Sequence, residues 1–376
     1  MPIALVLLII GTAIVFYILI GYPILLATMR PKASRPVVKD LRYQTTVSVI
    51  IAVYNGAAFI RAKLESILAL DYPPELLEII VVSDGSDDET DSIVSQFPSH
   101  VVQLLKVPHA GKAVALNHGL HRASGEILFF TDVRQPLDSM ALRHLVANFA
   151  DPSVAGVTGE LRLLTGVHGE QADMDLYWRY EVWARKRHSH IDSIFTTTGC
   201  IFAMRRSLVE PLPLDTLIDD AVLALRVFFQ GYRVILDPEA IAYDYPAIAG
   251  TEFRRRLRTL AGLWQVHTRL PLFSGSNRMR FHFLSHKFSR LVLPWAILLV
   301  FGASWALPSS GFRTSLLDGE LGLIALALVD PFLGRRFPLK RLSSAARTFL
   351  MMNAAALLAI IVFFVPATRL WRPTRV

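Results

Sequence analysis

TTVSVIIAVYN, residues 45–55, decides how the middle of this chain folds. Its apolar residues are mostly β-branched and lack the polar alternation of a half-solvated strand. The segment therefore reads as a strand buried on both faces. After Tyr54 and Asn55, residues Ile60, Leu64, Ile67 and Leu68 come at helical spacing. The unit then recurs. LEIIVVSDGS (77–86) is a second strand, with Asp88 to Gln96 as its helix. VVQLLKV (101–107) is a third strand, with a helix over 112–123. GEILFFTD (125–132) is a fourth, ending on Asp132. Strands alternating with helices predict a mostly parallel sheet. Ligands of such sheets bind outside the carboxyl ends of the strands, where Tyr54, Asn55, Asp84 and Asp132 all fall. A lone Asp after a strand is usually a turn residue or a helix cap. Polar strand ends repeated across one sheet point instead to a site.

Outward from this core the chain turns apolar. Of its 376 residues 53% are hydrophobic and 19% charged, against about 25% charged in soluble chains, so part of it is expected in lipid. Residues 3–29 are almost wholly apolar and long enough to cross a membrane. No basic residue precedes them and no small-residue cleavage site comes after, which favours an anchor over a signal peptide. Arg30, Lys32, Arg35, Lys39 and Arg42 come next, placing the succeeding domain in the cytosol. Candidate spans recur at 291–308 and 348–366. A weaker one at 316–332 is interrupted by Asp318, Glu320 and Asp330. The loop with Arg335, Arg336, Lys340 and Arg341 reads as cytosolic, while Arg369, Arg372 and Arg375 in the tail oppose the pattern. The expected organisation is an N-terminal transmembrane helix (1–30), a cytosolic domain (43–250), interfacial helices with an Arg-rich motif (251–290), and a C-terminal membrane region of about three spans (291–376).

The net charge of +8 fits nucleic acid, anionic lipid or a phosphorylated substrate. No base-reading motif supports the first. Cys200 is the only cysteine, which excludes an intrachain disulfide and a Cys–His zinc site. Tyr54-Asn55-Gly56 stands where a dinucleotide oxidoreductase carries Gly-x-Gly-x-x-Gly. The spans are few and lack the paired charges of a transporter. A nucleotide-sugar site is chemically served by the candidates that remain. Asp84 can accept from a base or ribose, Lys112 can reach a phosphate, and Asp132 can hold a divalent metal. Asp219 and Asp220 open an apolar helix; they either cap it or supply a general base with a raised pKa. In FRRRLRTLAGLWQ (253–265), Arg255 and Arg258 share a helical face with Gly262. That face suits a pyrophosphate leaving group or anionic headgroups equally well. Residues 174–187 mix Trp178, Tyr180 and Trp183 with Arg and Lys and read as an interfacial helix.

Taken in order, VSVIIAVYN with VVSDGSDDET, HAGKAVALNHGL, FFTDVRQ, TTTGCIFAMRR, LIDDAVLALRVFFQGYRV and RRRLRTLAGLWQ resemble the membrane-bound family 2 glycosyltransferases. That group includes cellulose, chitin and hyaluronan synthases, and the resemblance covers roughly residues 43–290 plus the flanking spans. It implies an α/β GT-A fold: a Rossmann-like nucleotide-sugar domain with a mixed, mostly parallel sheet, flanked by transmembrane helices. It implies inverting transfer from a nucleotide sugar, a UDP-sugar foremost, to a lipid or glycan acceptor at the membrane. Asp220 would be the base, with Asp219 beside it. Tyr54, Asn55, Asp84 and Lys112 would line the donor. Asp132 would contact the diphosphate and a magnesium or manganese ion, and Arg134, Arg255 and Arg258 would lie toward the phosphates. Two departures stand out. The second acid of the family's Asp-x-Asp is Arg134, which leaves the metal requirement open. The Gln and Trp of Gln-x-x-Arg-Trp are Arg255 and Thr259, which favours transfer of one or few sugars over a processive, exporting synthase. An inactive homologue acting as a scaffold is the remaining alternative. The expected setting is the inner (plasma) membrane of a bacterium, with the catalytic domain cytosolic, membrane lipids as partners and no nucleic acid.

Overall fold

Alternate residues of the 45–55 segment enter two different cores. In β1 (Val47–Val53), Val47, Val49, Ile51 and Val53 join one apolar cluster, and Ile50 joins the other with Ile80, Val82, Leu128 and Phe130. A strand sandwiched between two helical layers has no solvent face, which is why the sequence shows no alternation. The computed structural model describes residues 3–29, 36–163, 172–244, 252–334 and 337–370. Arg30, Lys32, Arg35, Arg335, Arg336, Arg372 and Arg375, on which the charge asymmetry rested, lie outside them.

The N-terminal helix, Ile3–Thr28, is α1. β1 leads into α2 (Ala57–Leu68), then β2 (Leu77–Asp84), α3 (Thr90–Val94), β3 (Val102–Val107), α4 (Lys112–Arg122) and β4 (Ile127–Phe130). After β4 come α5 (Ala141–Ala147), β5 (Val154–Leu163), α6 (Ala172–Ile191), β6 (Phe202–Arg205), α7 (Asp219–Phe229) and β7 (Arg233–Asp244). The seven strands run in the order β3-β2-β1-β4-β6-β5-β7. Only β6 is antiparallel to its neighbours, β4 and β5. The sheet is therefore mixed and mostly parallel, as expected. The switch lies between β1 and β4, where the carboxyl ends of β1, β2, β3 and β4 share one edge. The helix expected over 88–96 shrinks to α3, and the strand expected over 125–132 shortens to β4.

The α6 helix, read as interfacial, turns polar side chains into the protein. Glu181, Arg185, His188 and Ser189 are buried, because the helix packs between β7 and α1. Arg187 donates to the carbonyls of Leu26, Ala27 and Met29 at the end of α1, and the Tyr22 hydroxyl meets His188 Nε2 at 2.7 Å. Glu181 is ion-paired with Lys287 at 2.5 Å and with Arg290, and His286 Nε2 lies 3.3 Å from its carboxylate. The Arg187 and Tyr22 bonds fasten the N-terminal helix to the α/β domain, and the Glu181 pairs fasten α6 to residues 286–290.

After β7 lie α8 (Glu252–Arg269), α9 (Arg280–Ala306), α10 (Gly311–Val329), α11 (Lys340–Phe363) and α12 (Ala367–Leu370). Among the described residues α1, α9 and α11 are long and apolar enough to cross a membrane. The segment expected as the weak middle span begins earlier, forms α10 and carries Arg313, Asp318 and Glu320.

Candidate active site

The carboxyl-end loops brace one another. Asn55 adopts φ 52°. Its amide donates to Asp87 Oδ1 at 2.6 Å and accepts from the Asp87 N–H at 3.0 Å. Asp84 is 2% exposed, and its carboxylate accepts from the N–H groups of Ala110 (2.8 Å) and Gly111 (2.9 Å). His109 Nδ1 lies 3.1 Å from the same carboxylate. Gly85 permits this approach. It sits at φ +68°, and a Cβ there would lie 2.6 Å from the His109 nitrogen. The Tyr54 ring then rests 4.3 Å from that of His109. Both Asp84 oxygens are thus already engaged by the 109–111 loop, so Asp84 shapes the wall on which Tyr54 and His109 stand.

Lys112, the first residue of α4, reaches across the edge of the sheet. Its ammonium lies 3.0 Å from Asp132 Oδ1 and 3.2 Å from Asp219 Oδ2. These two carboxylates hold the lysine well above its ordinary value against the opposing effect of burial. Asp219 and Asp220 open α7, whose Ile218 N-cap provides no side-chain bond. Burial, then the Asp219 charge, raise the Asp220 carboxyl to about 7, despite Lys112 nearby. Gly199 stands between the groups: a Cβ there would lie 3.9 Å from Asp132 Oδ2 and 4.0 Å from Asp220 Cγ. Asp132, Lys112, Asp219 and Asp220, which come from three separate motifs, therefore converge on one spot, together with a glycine that leaves room.

The arginines divide. Arg134 turns to Asp244, at the end of β7, at 2.8 Å. Arg255 pairs with Glu252 at 3.4 Å. Its guanidinium is lowered chiefly by burial and also senses Asp244 and Arg134. Arg258 forms no ion pair with a described residue, and its Nε is buried without an acceptor. Four residues on, Gly262 packs on Ile218 so closely that a Cβ would lie 2.8 Å from its side chain. The Gln265 amide accepts from Leu217 N–H (3.1 Å) and donates to the Asp215 carbonyl (3.0 Å). α8 is therefore clamped to the loop that delivers Asp219 and Asp220. Asn117 holds the other end of that loop through the backbone of Leu212. A cleft of about 290 Å³ opens here, lined by 109–113, 214–217 and Ala367.

Asp244, Gly199, Glu252, Gln265 and His109 had no assigned role in the sequence. Asp244, Gly199, Gln265 and His109 act by packing or pairing with a distant segment, which no local spacing signals, whereas Glu252 pairs within its own helix with Arg255 and Arg256. For a divalent cation, Asp132 offers one carboxylate that is 38% exposed. One carboxylate together with substrate phosphates suits such an ion. Elsewhere, His144, Asp237 and Glu239 approach as metal ligands would. Lys39 already fills that place, at 2.8 Å from Asp237 and 2.5 Å from Glu239.

A sequence profile described as glycosyl transferase family 2 matches residues 48–212. The probable glycosyltransferase YdaM of Bacillus subtilis (strain 168) is 31% identical over 240 residues, covering 60% of this chain and 56% of that protein. A poly-beta-1,6-N-acetyl-D-glucosamine synthase of Staphylococcus epidermidis is 25% identical over 229 residues, 58% of this chain and 55% of that one. The chain thus spans a little over half the length of these curated relatives. The mannosyltransferase PcManGT from Pyrobaculum calidifontis, solved with GDP-Man and Mn2+, superposes with a TM-score of 0.73 at 25% identity, covering 94% of this chain and 98% of that one.

Proposed function

From a chain that carries a family 2 glycosyltransferase domain in a GT-A fold, we propose inverting transfer of a sugar from a nucleotide-sugar donor to a lipid or glycan acceptor at a membrane surface. One observation carries the reading: Asp220, raised to about 7, faces Gly199, Asp132 and Lys112 at the carboxyl edge of the sheet. The acceptor oxygen attacks the anomeric carbon as Asp220 takes its proton. The bond from that carbon to the diphosphate breaks, and its electron pair leaves with the nucleoside diphosphate. Arg258, with a buried Nε lacking an acceptor, is suited to the departing charge. Asp132 would hold a divalent cation jointly with the diphosphate, and that cation would supply charge neutralisation there. The mannosyltransferase neighbour was solved with Mn2+ and GDP-Man, which supports a metal and widens the donor beyond UDP-sugars. Arg255 and Thr259, in place of the Gln and Trp of Gln-x-x-Arg-Trp, support transfer of one or few sugars. The convergence of intact acids and Lys112 supports an enzyme over a scaffold. The three long apolar helices support membrane embedding, and the proposal sets the catalytic domain on the cytosolic face of a bacterial inner membrane.

Asp132→Ala is expected to weaken donor binding at least tenfold and to abolish any gain from added Mn2+. Calorimetric titration with the nucleotide sugar checks this, and unchanged affinity would remove Asp132 from the donor site. The base makes a second prediction. Asp220 acts deprotonated, so kcat/KM should rise with pH through about 7. Asp219→Asn removes a charge that raises Asp220 and should move this limb to lower pH. A limb that stays in place in that variant contradicts the coupling.

A further inference from the structure

Lys63 occupies the apolar face of α2 with Ile60, Leu64 and Ile67, and is 1% exposed. No carboxylate pairs with it among the described residues. Its ammonium instead donates to Thr131 Oγ1 at 2.6 Å and to the Gln135 carbonyl at 2.5 Å. These acceptors bracket the turn that carries Asp132 and Arg134. The Thr131 hydroxyl in turn donates to the Cys200 carbonyl at 2.7 Å. Cys200 comes directly after Gly199, whose Cβ position lies 3.9 Å from Asp132 Oδ2 and 4.0 Å from Asp220 Cγ. One buried ammonium thus joins the metal-side turn to the loop that separates the two carboxylates.

We propose that Lys63 is a positioning residue for transfer, holding the Thr131–Gln135 turn so that Asp132 faces the donor diphosphate and, through Thr131, setting the Gly199 loop beside Asp220. This rests on the reading of Asp132 given above. Burial draws the Lys63 ammonium down to about 7, so the charged form is disfavoured where it sits. A buried charge without a carboxylate partner is destabilising, and an unbranched apolar side chain would fill the same space more cheaply. A lysine here is a poor choice for stability. It is a good one for fixing two oxygens 4 residues apart in the chain.

Lys63→Met, Lys63→Gln and Thr131→Val test the proposal in the full chain in lipid nanodiscs, by thermal melting and by donor KM and kcat from nucleotide release. Lys63→Met is expected to melt at or above the wild type, yet to raise donor KM about tenfold and lower kcat. Lys63→Gln, which keeps two donors on a side chain one bond shorter, is expected to return part of both constants relative to Lys63→Met. Thr131→Val should lower kcat, and combining it with Lys63→Met should add little, because both cut one chain of bonds. Wild-type constants in Lys63→Met overturn the proposal. So does a loss of activity that only tracks a loss of folded protein, or additive losses in the double variant. Where Lys63→Met does not fold, Thr131→Val with wild-type kcat has the same force. Asp132→Ala separates the two levels. If it keeps donor affinity, the underlying site reading fails. If it loses affinity while Lys63→Met does not, only the role of Lys63 fails.

Discussion

Asp220→Asn is expected to lower transfer by about three orders of magnitude while leaving donor affinity within about twofold, because a positioned general base contributes roughly 10²–10⁴ in rate. Asparagine keeps the shape of the side chain and loses only the ability to take the acceptor proton. The same change should not weaken the fold. The Asp220 carboxyl is raised to about 7, chiefly by burial, so the folded chain binds its proton more tightly than the unfolded chain does. Stability from this group is fully present below the unfolded pKa and is lost as pH rises through about 7. The variant should therefore melt no lower than the wild type at pH 8, with any advantage shrinking as pH falls toward 4. Transfer above a tenth of the wild-type rate would remove Asp220 from the mechanism.

Gly262→Val carries the second large effect, from a position that lines no part of the cleft. A Cβ at 262 would lie 2.8 Å from two Ile218 atoms, closer than packed atoms approach. The smaller shift is for the 215–218 loop to move, since α8 is held by Trp264 and Leu260 against α11. Ile218 immediately precedes Asp219 and Asp220, so both carboxylates move with it. A displacement of about 1 Å at a catalytic group can cost about 100-fold in rate. Turnover is expected to fall about that far, with donor affinity reduced less and the protein still folded by melting and gel filtration. Wild-type turnover would show that α8 does not set the position of the base.

The parts of this molecule that could be read from sequence are those governed by local period. β1, β2 and β4 show as continuous apolar runs because they are buried on both faces, β3 is legible as an apolar run at the sheet edge, and Asp84 and Asp132 stand out at the ends of β2 and β4. β5, β6 and β7 were not assigned; they are joined by long excursions, and β6 (Phe202–Arg205) is too short to show a period. The site was legible as a set of ordered motifs but not as a network. Lys112 read as a phosphate-reaching lysine, whereas it bridges Asp132 and Asp219. Arg134 read as a replacement acid position open to phosphate, whereas it meets Asp244 from a strand more than a hundred residues away. Arg258 and Gly262 were placed on one helical face correctly, because an i, i+4 relation is local. Within residues 174–187 the composition shows an amphipathic helix but not its partners, because Glu181 meets Lys287 more than a hundred residues away.

The most direct test of transferase activity is nucleotide release from UDP-, GDP- and dTDP-sugars by the purified full chain in nanodiscs containing membrane lipids, with and without Mn2+ and with Asp220→Asn in parallel. Release from one donor class is expected, coupled to a glycosylated acceptor and lost in Asp220→Asn. Folded protein that binds and turns over no donor in the panel would contradict a glycosyltransferase with Asp220 as its base.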